Sequence, residues 1–229
     1  MFFHTGSTPN GLPDELRAKL ERLSFPTLGH YLEEGFVDPD VRRIVAAGGR
    51  VVGTAFTVRT TATDSTALHH AAGMIEPGQV LVLDTGGDRR HAPPLGEVVA
   101  AQLVARGAAG AVVDGVVTDV DEIERLGLTV HARGTSMLTT KLHGIDAGGV
   151  NVPVTCGGAV VRPGDAVLAD ANGVLAVPVD VLERIVDIAL QDDAEEPELV
   201  AELRAGAPLG SLTGASETVD ALLASDTPQ

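Results

Sequence analysis

The chain has 229 residues, with 16 Lys or Arg against 32 Asp or Glu, a net charge of −16. With 44% hydrophobic and 21% charged residues it reads as a globular chain, long enough to bury a full core without disulfides or metals to hold it. A field of that sign repels phosphate backbones and anionic membranes, and 3% aromatics with no Trp leave no base-stacking surface, so neither nucleic acid nor membrane is expected as a partner.

Residues 1–12 are polar and contain Gly and Pro, and read as an N-terminal arm. They lack the basic flank and apolar run of a signal peptide, so a cytoplasmic location is expected. Pro13-Asp14-Glu15 opens a helix carrying Leu16, Leu20 and Leu23 at helical spacing. Arg50 to Thr60 alternates, with Val52, Phe56 and Val58 on one face, and predicts a strand. Asp64-Ser65-Thr66 can cap a helix running to Gly73. Buried strands follow at Gln79–Asp84, Gly110–Asp114 and Leu128–Ala132, interleaved with helices at Gly96–Arg106 and Val120–Leu126. This alternation predicts a parallel sheet with crossover helices.

The second half is β-rich. Short strands are expected at Val150–Val154, Ala159–Val161, Ala166–Ala169 and Val174–Val177, the last two joined by the hairpin signal Asn172-Gly173. Helices at Val181–Leu190 and Glu196–Leu203 close the domain, and residues 206–229 form a small, polar tail.

Ligands of open α/β sheets collect at the carboxyl ends of parallel strands. Two such ends are dense in functional groups. One is Asp84-Thr85-Gly86-Gly87-Asp88-Arg89-Arg90-His91, leading to Leu95-Gly96-Glu97-Val98-Val99; the other is Asp114-Gly115-Val116-Val117-Thr118-Asp119. Gly96 stands where a helix begins, and the free N–H groups behind it can hold a carboxylate or an enolate oxygen; it equally suits tight strand-to-helix packing. Asp119 can ligate Mg²⁺ or cap the helix it precedes. Glu97 is either a first-turn acid favoured by the helix dipole or a functional carboxylate. The seven His residues show no metal-ligand spacing, and His91 alone falls in the candidate loop. Cys156 is a lone cysteine, which rules out an intrachain disulfide and a Cys-based zinc site and suits a small buried residue.

Taken together, several segments carry a family resemblance over residues 13–205. They are Val52-Gly53-Thr54-Ala55-Phe56-Thr57-Val58, Pro77-Gly78-Gln79-Val80-Leu81-Val82, Gly87-Asp88 through Leu95-Gly96-Glu97, Asp114-Gly115-Val116-Val117-Thr118-Asp119 and His131-Ala132-Arg133-Gly134-Thr135. Asn151-Val152-Pro153-Val154 with Gly157-Gly158, Val161-Arg162-Pro163-Gly164-Asp165 and Ala169-Asp170-Ala171-Asn172-Gly173-Val174 complete the set. In this order and spacing the chain resembles the family that joins 4-hydroxy-4-methyl-2-oxoglutarate aldolases with the regulator of ribonuclease activity A.

The resemblance implies a three-layer α/β/α swivelling-type domain with a central sheet, assembled as a homotrimer or a hexamer with sites between subunits. It implies a divalent-metal-dependent lyase (aldolase or oxaloacetate decarboxylase) for a small 2-oxo acid, acting through a metal-stabilised enolate. By position, Glu97 is the catalytic acidic residue, Asp119 the ligand of Mg²⁺ or Mn²⁺, and Gly96, Val98 and Val99 the backbone that receives the substrate. His91 joins the catalytic set as a proton carrier. The family's carboxylate-binding Arg is Thr118 here. Thr offers one hydroxyl and no charge, and losing a charge-assisted pair in a closed site costs about 2–5 kcal/mol. Arg89, Arg90 and Arg133 are the candidate replacements, Arg90 and His91 being the preferred ones. The alternatives are a non-catalytic regulatory trimer, or a repurposed lyase or isomerase for a substrate without the usual carboxylate.

Overall fold

The computed structural model describes residues 3–61, 63–86, 95–144 and 147–225. In chain order, β1 (Phe3–Thr5), α1 (Asp14–Leu20), a 3₁₀ turn (Phe25–His30), β2 (Arg42–Val45) and β3 (Val51–Arg59) come first. Then follow α2 (Thr66–Ala72), β4 (Gln79–Asp84), α3 (Glu97–Ala105), β5 (Gly110–Val117), α4 (Val120–Leu126) and β6 (Val130–Thr135). The second half holds β7 (Gly148–Val150), β8 (Val154–Cys156), β9 (Ala159–Val161), β10 (Ala166–Ala169) and β11 (Val174–Val177). The helices α5 (Val179–Arg204), α6 (Leu209–Leu212) and α7 (Ala215–Ser225) follow.

β3, β4, β5 and β6 run parallel, with α2, α3 and α4 as the connections, as the alternation in sequence predicts. β2 closes one edge, antiparallel to β6. The other side of β3 is shared: Val51–Thr54 pair antiparallel with β10, and Val58 and Arg59 with β7. β1 lies outside β7, and β11 outside β10. The result is a mixed α/β domain with a central sheet and a β-rich second half.

Alternation along the strands sends side chains to opposite faces. Phe56, Val58, Leu81, Leu83, Val113 and Val117 pack against Leu68 of α2, Val99 and Leu103 of α3 and Ile123 of α4. Their neighbours Val80, Val82 and Val112 face the hairpin β8–β9 through Val154, Cys156 and Val161. A third cluster joins α1 and the first half of α5 to β10 and β11, through Leu16, Leu20, Leu168, Leu175, Leu182 and Val186.

Four local expectations change. Phe3–Thr5, read as part of a loose arm, adds a parallel strand to β7. The single strand expected at Val150–Val154 is two, because Asn151 adopts φ 52° and turns the chain between β7 and β8. The two helices expected after residue 180 are one, running through Pro197. Proline removes one amide donor from a helix and crowds the preceding turn; past Ala189 no residue of α5 is buried, so water can serve the carbonyl left over. The tail carries α6 and α7, neither with a buried residue. Among the described residues no helix is long and apolar enough to cross a membrane.

Candidate active site

Sheet register places Arg59 opposite Asp84, and Asp84 opposite Asp114, at the carboxyl ends of β3, β4 and β5. Both carboxylates turn toward the β8–β9 hairpin. Asp84 Oδ2 accepts from Arg59 Nε and from the Thr155 backbone N–H, both at 3.3 Å. Asp114 Oδ2 accepts from the Gly157 N–H at 2.9 Å, and its Oδ1 pairs with Arg133 Nε. Arg133 Nη1 reaches Asp38 at 3.5 Å, and Arg59 Nη2 donates to the Pro153 carbonyl at 2.7 Å. These groups tie the hairpin onto the sheet. Buried charges survive only when paired and hydrogen-bonded; the side chains of Arg133 and Asp114 are 9% and 8% exposed and pair with each other. Arg133 thus serves a pairing inside the fold, to Asp114 and Asp38. Cys156, the last residue of β8 in the same hairpin, is buried, and its thiol is pushed up by that burial and by the nearby Asp114 and Asp84 charges. It is the packing residue that the sequence suggests.

The other strand-end group assembles as one unit. The loop after β5 brings Thr118 and Asp119 against the start of α3. Asp119 sits at the first turn of α4 with φ 53° and ψ 42°, a left-handed conformation that Asp tolerates better than most residues. Its side chain makes no cap for α4. It crosses to the neighbouring helix instead, where Asp119 Oδ2 accepts the Glu97 N–H at 3.0 Å. Asp119 Oδ1 accepts from Thr118 Oγ1 at 3.1 Å. A Cβ on Gly96 would overlap Asp119 Oδ2 and lie 2.9 Å from Thr118 Cγ2. So Gly96 is glycine because a carboxylate approaches its backbone, and not merely to let a helix meet a strand. Thr118 N–H donates to the Leu95 carbonyl at 3.2 Å, which fastens the two loops together.

Gly96, Glu97, Thr118 and Asp119 are thus brought together, with Glu97 contributing its backbone to the arrangement. Val98 and Val99 follow in the first turn of α3, and their N–H groups meet no acceptor among the described residues. Val98 is 78% exposed, Asp119 is exposed and Thr118 half-buried, so the group opens onto the surface. Arg89, Arg90 and His91, the candidates for the clamp and the proton carrier, lie outside the described residues. Sequence reading overlooked Arg59 and Asp38. For Arg59 the available signal was a lone charge ending the largely apolar run Val51–Val58.

The donor set can be tested against a metal. Among the described residues no group of three or more His, Cys, Asp or Glu is arranged so that it could hold a metal ion. Zinc takes three or four protein ligands, and these residues do not fit it. A carboxylate has about four lone-pair sites, and hydrogen bonds occupy two on Asp119. The remaining two, facing solvent, fit Mg²⁺ or Mn²⁺, hard cations held by one or two carboxylates with the rest of the shell left to water and substrate.

The parallel strands with crossover helices and the paired glycine and aspartate loops define a class. Residues 26–176 match the family described as RraA-like, Aldolase/RraA. The chain belongs to that family. A relative from Halalkalibacterium halodurans is 36% identical over 147 residues, 64% of this chain and 69% of that protein. One from Azotobacter vinelandii is 44% identical over 101 residues, 44% of this chain and 60% of that protein. Both bear the name "Putative 4-hydroxy-4-methyl-2-oxoglutarate aldolase". The chain thus aligns with about 60% to 69% of the length of these relatives. Among solved structures, an unusual member of the RNase ES inhibitor RraA protein family from Streptomyces coelicolor superposes with a TM-score of 0.65 at 26% identity, covering 84% of this chain and 99% of that one.

Proposed function

We propose that the chain is a divalent-metal-dependent carbon–carbon lyase acting on a 2-oxo acid, such as 4-hydroxy-4-methyl-2-oxoglutarate or oxaloacetate. One observation carries this reading. The Asp119 carboxylate is held against the first turn of α3, beside N–H groups of Val98 and Val99 that have no described acceptor. A ligand for a hard cation and a pair of oxyanion donors therefore meet at one point. The names of the aldolase relatives support the same reaction class.

Mg²⁺ or Mn²⁺ bound there would supply Lewis-acid stabilisation of charge on the 2-oxo carbonyl oxygen. Asp119 would hold the cation through the lone pairs that Glu97 N–H and Thr118 leave free. Val98 and Val99 direct their N–H groups, at the positive end of the α3 dipole, toward an oxygen on which charge develops. Gly96 keeps the backbone low enough for that approach. Glu97, exposed at the same turn, is placed to orient a proton-carrying water.

The site's openness supports assembly with further copies, as a trimer or hexamer. Val98 at 78%, Met137 at 98% and Leu142 at 64% exposure are large apolar groups on the surface. Ser136 N–H donates to the Val117 carbonyl at 2.9 Å, so the segment carrying Met137 begins beside Thr118. A second reading, a non-catalytic regulator, draws on the RraA likeness and on the −16 charge available for protein contacts.

The deciding experiment is oxaloacetate decarboxylation by EDTA-stripped protein, with and without Mg²⁺ or Mn²⁺, beside Asp119→Ala. Metal-dependent turnover lost in the variant supports the lyase. Metal binding through Asp119 without turnover points to a substrate of another kind. Neither activity nor metal binding leaves the regulator.

A further inference from the structure

Thr118 stands where the resemblance leads one to expect a substrate-binding Arg, and its surroundings give it another task. All of its polar hydrogens are committed. The backbone N–H donates to the Leu95 carbonyl, and Oγ1 donates to Asp119 Oδ1 at 3.1 Å. The methyl group faces the Gly96 backbone, where an added Cβ would come within 2.9 Å of Cγ2. A β-branched side chain is stiff about χ1, so fixing one γ atom fixes the other. The hydroxyl hydrogen is thus turned to Asp119 and the methyl to Gly96, so neither branch offers a ligand a donor.

Asp119 needs such a restraint. Its backbone is left-handed and its side chain lies at the surface, where a carboxylate would otherwise sample several rotamers. Glu97 N–H fixes Oδ2 alone, about which the group can still pivot. The Thr118 hydroxyl fixes the second oxygen and so the carboxylate plane.

We propose that Thr118 is a positioning residue that holds Asp119 in its metal-binding orientation, rather than a residue that touches substrate. The proposal rests on the assignment of Asp119 as the metal ligand. Its consequence for specificity is that position 118 does not read the remote end of the substrate. Groups that orient a metal ligand are typically worth about 10- to 100-fold in metal affinity, and the exposed setting of Asp119 puts this one near the low end.

The test uses the full chain as wild type, Thr118→Val, Thr118→Ser and Asp119→Ala. Thr118→Val keeps the methyl and loses the hydroxyl; Thr118→Ser does the reverse. Mn²⁺ affinity is measured by calorimetry, and exchange of the Glu97 amide by NMR in metal-free protein. The expected result is about a 10-fold loss of Mn²⁺ affinity in Thr118→Val and recovery to near wild type in Thr118→Ser. Glu97 amide exchange should rise about five-fold in Thr118→Val alone, because a loosened Asp119 releases that N–H. Unchanged affinity and exchange in Thr118→Val overturn the proposal, as does failure of Thr118→Ser to recover. Wild-type Mn²⁺ affinity in Asp119→Ala overturns the metal assignment and with it the metal-binding form of the proposal. The exchange result then reports separately whether Thr118 holds the carboxylate.

Discussion

Gly96→Ala separates the two roles a glycine can have at a helix start. The backbone there is extended, at φ −127° and ψ −163°, which alanine adopts without strain. The added methyl would overlap Asp119 Oδ2 and press on Thr118 Cγ2 at 2.9 Å; Asp119 ends an exposed side chain that can swing away, and Thr118 has only to give slightly, so the backbone need not move. The stability cost is then one surface hydrogen bond to a carboxylate plus a slightly poorer cap, about 1 kcal/mol in sum. For a chain of this size that is a fall of about 2–4 °C in Tm. The carboxylate, however, is displaced from the first turn of α3, and Mn²⁺ affinity should fall at least about 10-fold. Thermal unfolding and a Mn²⁺ titration on the same preparation test both halves. A drop in Tm beyond about 10 °C would assign Gly96 to packing. Unaltered Mn²⁺ binding at an unaltered Tm would show that the contact between Gly96 and Asp119 has no bearing on the metal.

Three further outcomes follow from the buried groups. Asp114→Asn or Arg133→Ala strands a buried charge beneath the β8–β9 hairpin and should cost about 3 kcal/mol in urea unfolding; a loss under about 1 kcal/mol would mean that the hairpin is held by its apolar contacts alone. His131 is buried, and burial, reinforced by Arg43, lowers its pKa against the opposing pull of the Asp170 carbonyl. The unfolded chain therefore binds a proton near pH 6.5 that the folded chain refuses, so stability should fall as pH drops below that value. Unfolding midpoints at pH 7.5 and 5.5 should diverge more in wild type than in His131→Gln, and equal divergence would remove His131 from the account. Cys156, buried and with its thiol pushed up, should be silent to a thiol reagent in native protein and titrate as one thiol in denaturant; reaction at native rates would contradict its burial.

The elements legible in the sequence are those whose signal is local. Gln79–Asp84 and Val120–Leu126 form with the expected bounds because an apolar run between turn residues, or a capped helical period, is complete within about eight residues. Proximity of Gly96 and Asp119 followed from the rule that strand ends of a parallel sheet gather. What stayed hidden depends on partners far along the chain. Nothing in Phe3-His4-Thr5 announces that Gly148–Val150 will pair with it, and nothing around Pro197 shows that solvent will satisfy the broken helix turn. Arg133 looked available because its charge is visible in the sequence, while Asp114 and Asp38, which consume it, are joined to it only by the sheet. The sequence by itself determined the βα alternation and the residue types at the site, since periodicity and turn chemistry are properties of neighbours. Only the tertiary structure decided which carboxylate faces solvent and which is locked beneath a hairpin. That choice depends on the face of a strand each residue occupies and on the loop laid over it, and both are set by packing at long range.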